Sequence, residues 1–125
     1  LTAVEVDKEL LKGNIDSMLL SLLLDKPMYG YELAKRVREK SRGQFELKEG
    51  TLYLALKRLE KHGYIEAFWG EEAESGGGRR KYYRLLPPGE ERFLQKQAEW
   101  RFMREIMDTF FEGGAGNERQ DKASN

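Results

Sequence analysis

At 125 residues the chain is long enough for one compact core with an appendage and too short for two ordinary domains. It contains no cysteine, which removes a disulfide framework, thiol chemistry and thiolate metal sites and fits a reducing compartment. Lysine plus arginine and aspartate plus glutamate number 22 each, so a globally basic nucleic-acid binder is excluded; from Lys26 to Lys61, however, ten basic residues face five acids, a local excess of +5.

Residues 1 to 6 carry no periodic signal and are expected to fray. From Lys8 onward Leu11, Ile15, Met18, Leu19, Leu22 and Leu23 recur at helical spacing, and Asp25, Lys26 and Pro27 end that helix. The longest apolar run, Met18 to Leu24, is interrupted by Ser21 and falls far short of a membrane span. Nothing at the N-terminus resembles a cleaved signal, and a cytoplasmic location is expected. A second helix is predicted from about Tyr29 to Ser41, broken by Arg42 and Gly43. Phe45 and Leu47, on either side of Glu46, predict a brief strand set against the sheet that follows.

The third helix carries Leu52, Leu56 and Leu59 on one face, with Ala55 beside them. Its opposite face collects Tyr53, Leu54, Lys57, Arg58 and Lys61 before Gly63 stops it. Two β-like runs follow, Tyr64 to Trp69 and Lys81 to Leu86, joined by a charged loop that ends in Gly76, Gly77, Gly78, Arg79 and Arg80. A basic-faced helix leading into a hairpin with an arginine-bearing tip predicts a winged helix-turn-helix.

After Leu86, Pro87, Pro88 and Gly89, a long helix is predicted from Gly89 to Glu112. Its apolar residues cover more than one face: Leu94, Ala98, Phe102 and Ile106 are expected against the chain's own first helix, while Phe93, Trp100, Met107 and Phe111 require a second subunit. Residues 113 to 125 lack large apolar groups and are expected to be disordered. The fold class expected is therefore mainly α with a small β-hairpin wing. A winged helix-turn-helix DNA-binding domain spans 8–86, a C-terminal dimerisation helix 87–112 and a disordered tail 113–125.

The candidate DNA-binding residues follow from this layout. Tyr53, Leu54, Lys57, Arg58 and Lys61 are placed to enter a major groove, with Lys57 and Arg58 on phosphates; the competing reading is a solvated helix face. Gly50 and Thr51, at the helix start, either offer N–H groups to a phosphate or simply cap the helix. Arg79 and Arg80 follow a glycine run that lets a hairpin tip approach a minor groove, against the alternative of an idle turn. Tyr29 is a further candidate phosphate contact, although Tyr29, Gly30 and Tyr31 together read mainly as packing. The glycine run lacks the Gly-Lys-Ser/Thr of a phosphate-binding loop. Glu71, Glu72 and Glu74 have no further ligand at metal spacing, and His62 suits a helix end, so no metal, cofactor or enzymatic activity is expected.

The segments Met28–Leu33 (MYGYEL) and Gly50–Leu59 (GTLYLALKRL) resemble the PadR family of bacterial transcriptional regulators, as do LLKGNID near Leu10 and GRRKYYRL at Gly78–Leu85. The resemblance runs from about residue 9 to 112, and the single terminal helix is similar to the family's shorter branch. It implies a homodimer in which that helix wraps the partner's N-terminal helix. In some members of the family a tryptophan on the last helix meets its dimer mate and sandwiches a flat aromatic ligand; Trp100 either does the same, with Phe93, Met103, Met107 and Met18 completing the pocket, or simply packs in the dimer interface as part of a core stripe. Two positions depart from the family: Leu54 stands where proline is usual, and Leu86 where threonine is usual. The function expected is a repressor on a palindromic duplex operator, relieved by a small aromatic effector. The alternative is a winged-helix protein–protein interaction module without sequence-specific DNA binding.

Overall fold

The computed structural model of the chain describes residues 6–73 and 78–112. The fraying expected over residues 1–6 falls, Val6 apart, on positions outside the described residues, as do the loop positions 74–77 and the tail expected at 113–125. The order of elements is α1 (Lys8–Leu23), β1 (Met28–Tyr29), α2 (Gly30–Lys40), α3 (Glu49–Lys61), β2 (Ile65–Ala73), β3 (Arg79–Leu85) and α4 (Pro87–Glu112).

Each boundary has a local cause. Asp7 caps α1, its carboxylate accepting the Glu9 N–H at 2.8 Å. At the end of α2, Arg42 and Gly43 both adopt positive φ, and the Gly43 N–H closes on the Arg38 carbonyl at 2.8 Å. At the end of α3, Gly63 has φ +74°, its N–H reaches the Glu60 carbonyl, and the Tyr64 N–H reaches Leu59. This paired closure turns the chain straight into β2. Pro87 and Pro88 open α4, where fixed φ suits the first helical turn.

The three strands form an antiparallel sheet in the order β1-β3-β2. Tyr82 lies opposite Tyr29 on one side and Phe68 on the other; Tyr83 lies between Met28 and Ala67. The strand that joins the hairpin is thus Met28–Tyr29, not the predicted piece around Phe45 and Leu47. The reason lies in Ser41, whose hydroxyl accepts the Phe45 N–H at 3.1 Å and stands 3.0 Å from the Phe45 carbonyl. That side chain occupies the backbone groups a sheet ladder would need, whereas Pro27 holds Met28 and Tyr29 extended beside the free edge of β3.

Leu19, Leu20, Met28, Leu33, Leu52, Leu56 and Ile65 form the fully enclosed centre, so all three N-terminal helices and the sheet share one core. Each such side chain contributes about 2 kcal/mol by leaving water.

The chain divides into two compact units, one ending at Phe93 and the other beginning at Leu94. The start of α4 belongs with the first unit: Gly89 is buried and Phe93 packs on the core cluster. In the second unit Leu94, Ala98 and Phe102 are exposed in the single chain, as are Trp100, Met103, Phe110 and Phe111, while Ile106 and Met107 are half-buried. The stripe expected to be covered within the chain is therefore open, apart from Ile106. Among the described residues, no helix is long and apolar enough to cross a membrane.

Candidate nucleic-acid interface

Successive helical residues turn by about 100°, so the buried stripe of α3 (Leu52, Ala55, Leu56, Leu59) fixes an opposite ridge made of Gly50, Leu54, Lys57 and Lys61. All four are exposed. Two flanking side chains secure this helix to its neighbours. On one flank the Tyr53 ring stands over Gly30 at the start of α2, close enough that a Cβ there would lie 2.8 Å from Cζ. On the other, Arg58 grips Asp16 of α1, with Nη2 donating to Oδ1 at 2.6 Å and Nε to Oδ2 at 3.3 Å. Both partners are half-buried. Arg58 can therefore reach a phosphate only by sharing or leaving Asp16, whereas Lys57 and Lys61 stand on the exposed ridge.

At the start of α3 the capping position is Lys48, in extended conformation and with no side-chain bond to the first turn. Thr51 lies inside the helix, so its expected alternative role as a cap is not what the structure shows. Gly50 and Thr51 are both exposed there. His62 closes the other end, its Nδ1 lying 2.7 Å from the Arg58 carbonyl and its ring stacked on Tyr64.

The wing is stiffened on its outer face by a row of rings across three strands. Tyr29 meets Tyr82 edge-on at 5.5 Å, and Tyr82 stacks with Phe68 at 5.7 Å. Arg80 lies over the Tyr29 ring at 4.3 Å, and Arg84 lies over Phe68 at 4.6 Å while bonding Glu66 at 2.6 Å. Arg79 turns back across the hairpin, its Nε donating to the Gly70 carbonyl at 2.7 Å. The two wing arginines named from sequence are thus held near the strands in this structure. Tyr29 links the sheet to the first turn of α2. On the inner face Tyr83 is buried; burial, reinforced by Glu60 and Tyr53, raises its phenol above the ordinary value of 10.0.

The expected ligand set is split between the units. Trp100, Met103 and Met107 share one face of α4 in the second, with the Arg104 guanidinium 5.4 Å from the Trp100 ring. Phe93 and Met18 belong to the first, both packed on its core. Met18 also lines an apolar pocket of about 230 Å³ with Leu22, Val37 and Phe45.

Sequence reasoning missed Asp16 and the ring row. Asp16 is the only acid between Glu9 and Asp25, a carboxylate set into a helix otherwise patterned for the core, and that isolation was its signal. Tyr82 and Phe68 carried the alternating pattern of a strand, but nothing in sequence placed Tyr29 on the same sheet.

Comparison with known proteins gives a consistent result. The model of the transcriptional regulator PadR-like family matches residues 19–95. A transcriptional regulator from Clostridium thermocellum is 39% identical with a TM-score of 0.76, over 85% of this chain and 98% of that one. A PadR family transcription regulator from Clostridium difficile is 48% identical with a TM-score of 0.70, over 79% and 99% respectively. An uncharacterized protein of Lysinibacillus sphaericus is 39% identical over 108 residues, 86% of this chain and 97% of that protein.

Proposed function

We propose, for a chain that belongs to the PadR-like family and is therefore a DNA-binding transcriptional regulator and not an enzyme, that it acts as a homodimeric repressor released by a small aromatic molecule. The observation that carries this reading is the open ridge of α3, on which Leu54, Lys57 and Lys61 face solvent directly opposite the buried stripe. In a dimer, two such helices would enter successive major grooves of a palindromic duplex, about 34 Å apart. Lys57, Lys61 and the first-turn N–H groups at Gly50 and Thr51 would hold phosphates, together with Tyr29. Arg79 and Arg80 would swing from the wing toward the minor groove, and Arg58 would share itself between Asp16 and the backbone.

Dimerisation would cover the exposed rings of α4, among them Trp100, Phe102, Phe110 and Phe111. A planar ligand between Trp100 and its symmetry mate, with Met103 and Met107 beside it, would favour one dimer arrangement over another. A coupling of about 1–3 kcal/mol is enough to release DNA. The test is titration of Trp100 fluorescence with planar aromatic compounds in a Trp69→Phe background, alongside duplex binding at several salt concentrations. Quenching by a compound that also weakens DNA binding is the expected result. Intact DNA binding with no optical response to any compound overturns the ligand-gated part. Salt-insensitive capture of one protein, without duplex binding, favours the interaction module instead.

A further inference from the structure

We propose that Leu54 is a specificity-determining residue that reads the C5-methyl group of a thymine in the major groove. This rests on the reading of α3 as the helix that enters the groove. Leu54 is 65% exposed and lies opposite the buried stripe of its helix, in the half nearer the N-terminus, where recognition helices present side chains to base edges. One turn earlier the ridge carries Gly50, which has no side chain to hold the groove floor away. The next ridge residues, Lys57 and Lys61, have long flexible stems that reach outward to phosphates.

The isobutyl group has neither donor nor acceptor, so it cannot pair with the polar edges of guanine, adenine or cytosine. The thymine methyl is the one apolar feature that a major-groove edge presents to it. Nor is the helix free to roll and bury this side chain, because Tyr53 is seated over Gly30 on one flank and Arg58 is bonded to Asp16 on the other. Leu54 is thus a fixed apolar group at the position of deepest approach.

The experiment uses the full chain and a duplex enriched from a random pool by binding to it. Each thymine of that duplex is then replaced by uracil, which removes the methyl and leaves every hydrogen-bonding group in place. Uracil at one thymine of each half-site is expected to weaken binding about fourfold per methyl, the equivalent of one small buried apolar group. In Leu54→Ala, whose side chain stops short of the base and whose helix propensity is higher, the same replacement is expected to change nothing. Circular dichroism establishes that this variant is folded. An enriched duplex that tolerates uracil everywhere, or one whose sensitivity is the same in both proteins, overturns the assignment of Leu54 while leaving DNA binding intact. Failure to enrich any duplex overturns the DNA reading and this assignment together.

Discussion

The ring of Tyr53 fills the volume above Gly30 that a Cβ would need, so the helix facing solvent and the helix behind it meet through one phenol and one missing side chain. The obstructing atoms are the far end of a partly exposed side chain, 44% accessible, and not backbone. Gly30→Ala is therefore expected to push the ring aside without unfolding the domain. Alanine's advantage in a helix, up to about 1 kcal/mol, offsets part of the lost packing. Urea denaturation should show stability within about 1 kcal/mol of the parent, with duplex affinity reduced several-fold. A loss of several kcal/mol would mean that Tyr53 cannot yield.

The ion pair between Asp16 and Arg58 separates two lysine–arginine neighbours that look equivalent in sequence. Asp16→Asn and Arg58→Ala should each lower stability by about 1 kcal/mol, non-additively, because they remove the same half-buried pair. Lys57→Ala should leave stability unchanged and reduce the salt slope of duplex binding by about one per protomer. Asp16→Asn releases a guanidinium beside the ridge and should strengthen binding to any duplex at low salt. Equal salt slopes for the Lys57 and Asp16 variants would contradict this division of roles.

Gly89 sets the junction between β3 and α4. A Cβ there would stand 2.8 Å from Leu85 Cδ1 and 2.9 Å from the carbonyl carbon of Tyr64, and the latter is backbone that cannot rotate away. Gly89→Ala is expected to destabilise the first unit by about 2 kcal/mol or more, measured as an earlier urea midpoint. Gly50→Ala, with open space around the added methyl, should be neutral or slightly stabilising.

The raised phenol of Tyr83 makes an alkaline prediction. Its neutral form is favoured in the folded state, so its stabilising effect is fully present below the unfolded value near 10 and is lost as pH climbs through the higher folded value. Stability should therefore fall above about pH 10 partly through this group. Tyr83→Phe should flatten the fall attributable to Tyr83, as read from denaturant midpoints between neutral and alkaline pH. An identical alkaline slope in both proteins would assign the loss to other groups.

The helices were legible because their signals are local and periodic: Leu52, Leu56 and Leu59 repeat at one turn, and Gly63 marks a stop that needs positive φ. The hairpin was legible from alternation around Tyr83. What sequence hid was the pairing of distant segments. Two residues, Met28 and Tyr29, are too few to show a period, whereas Phe45 and Leu47 imitate one while a serine hydroxyl holds their loop. The same limit applied at the interface: Arg58 and Lys57 are adjacent and alike in charge, and only the position of Asp16, 42 residues away, distinguishes them. The exposure of Leu94 and Phe102 was likewise unreadable, since an apolar stripe states that it needs cover without naming what supplies it.

Anchored on both flanks, by Tyr53 against α2 and by Arg58 against α1, the third helix behaves like a key cut in one piece with its bow. It cannot be turned about its own long axis without moving the whole head. In the proposed dimer, a signal sensed elsewhere would alter how firmly the key seats, or how far apart two such keys stand, but not the pattern of teeth it presents. Induction of the proposed kind would change occupancy and leave the preferred sequence the same.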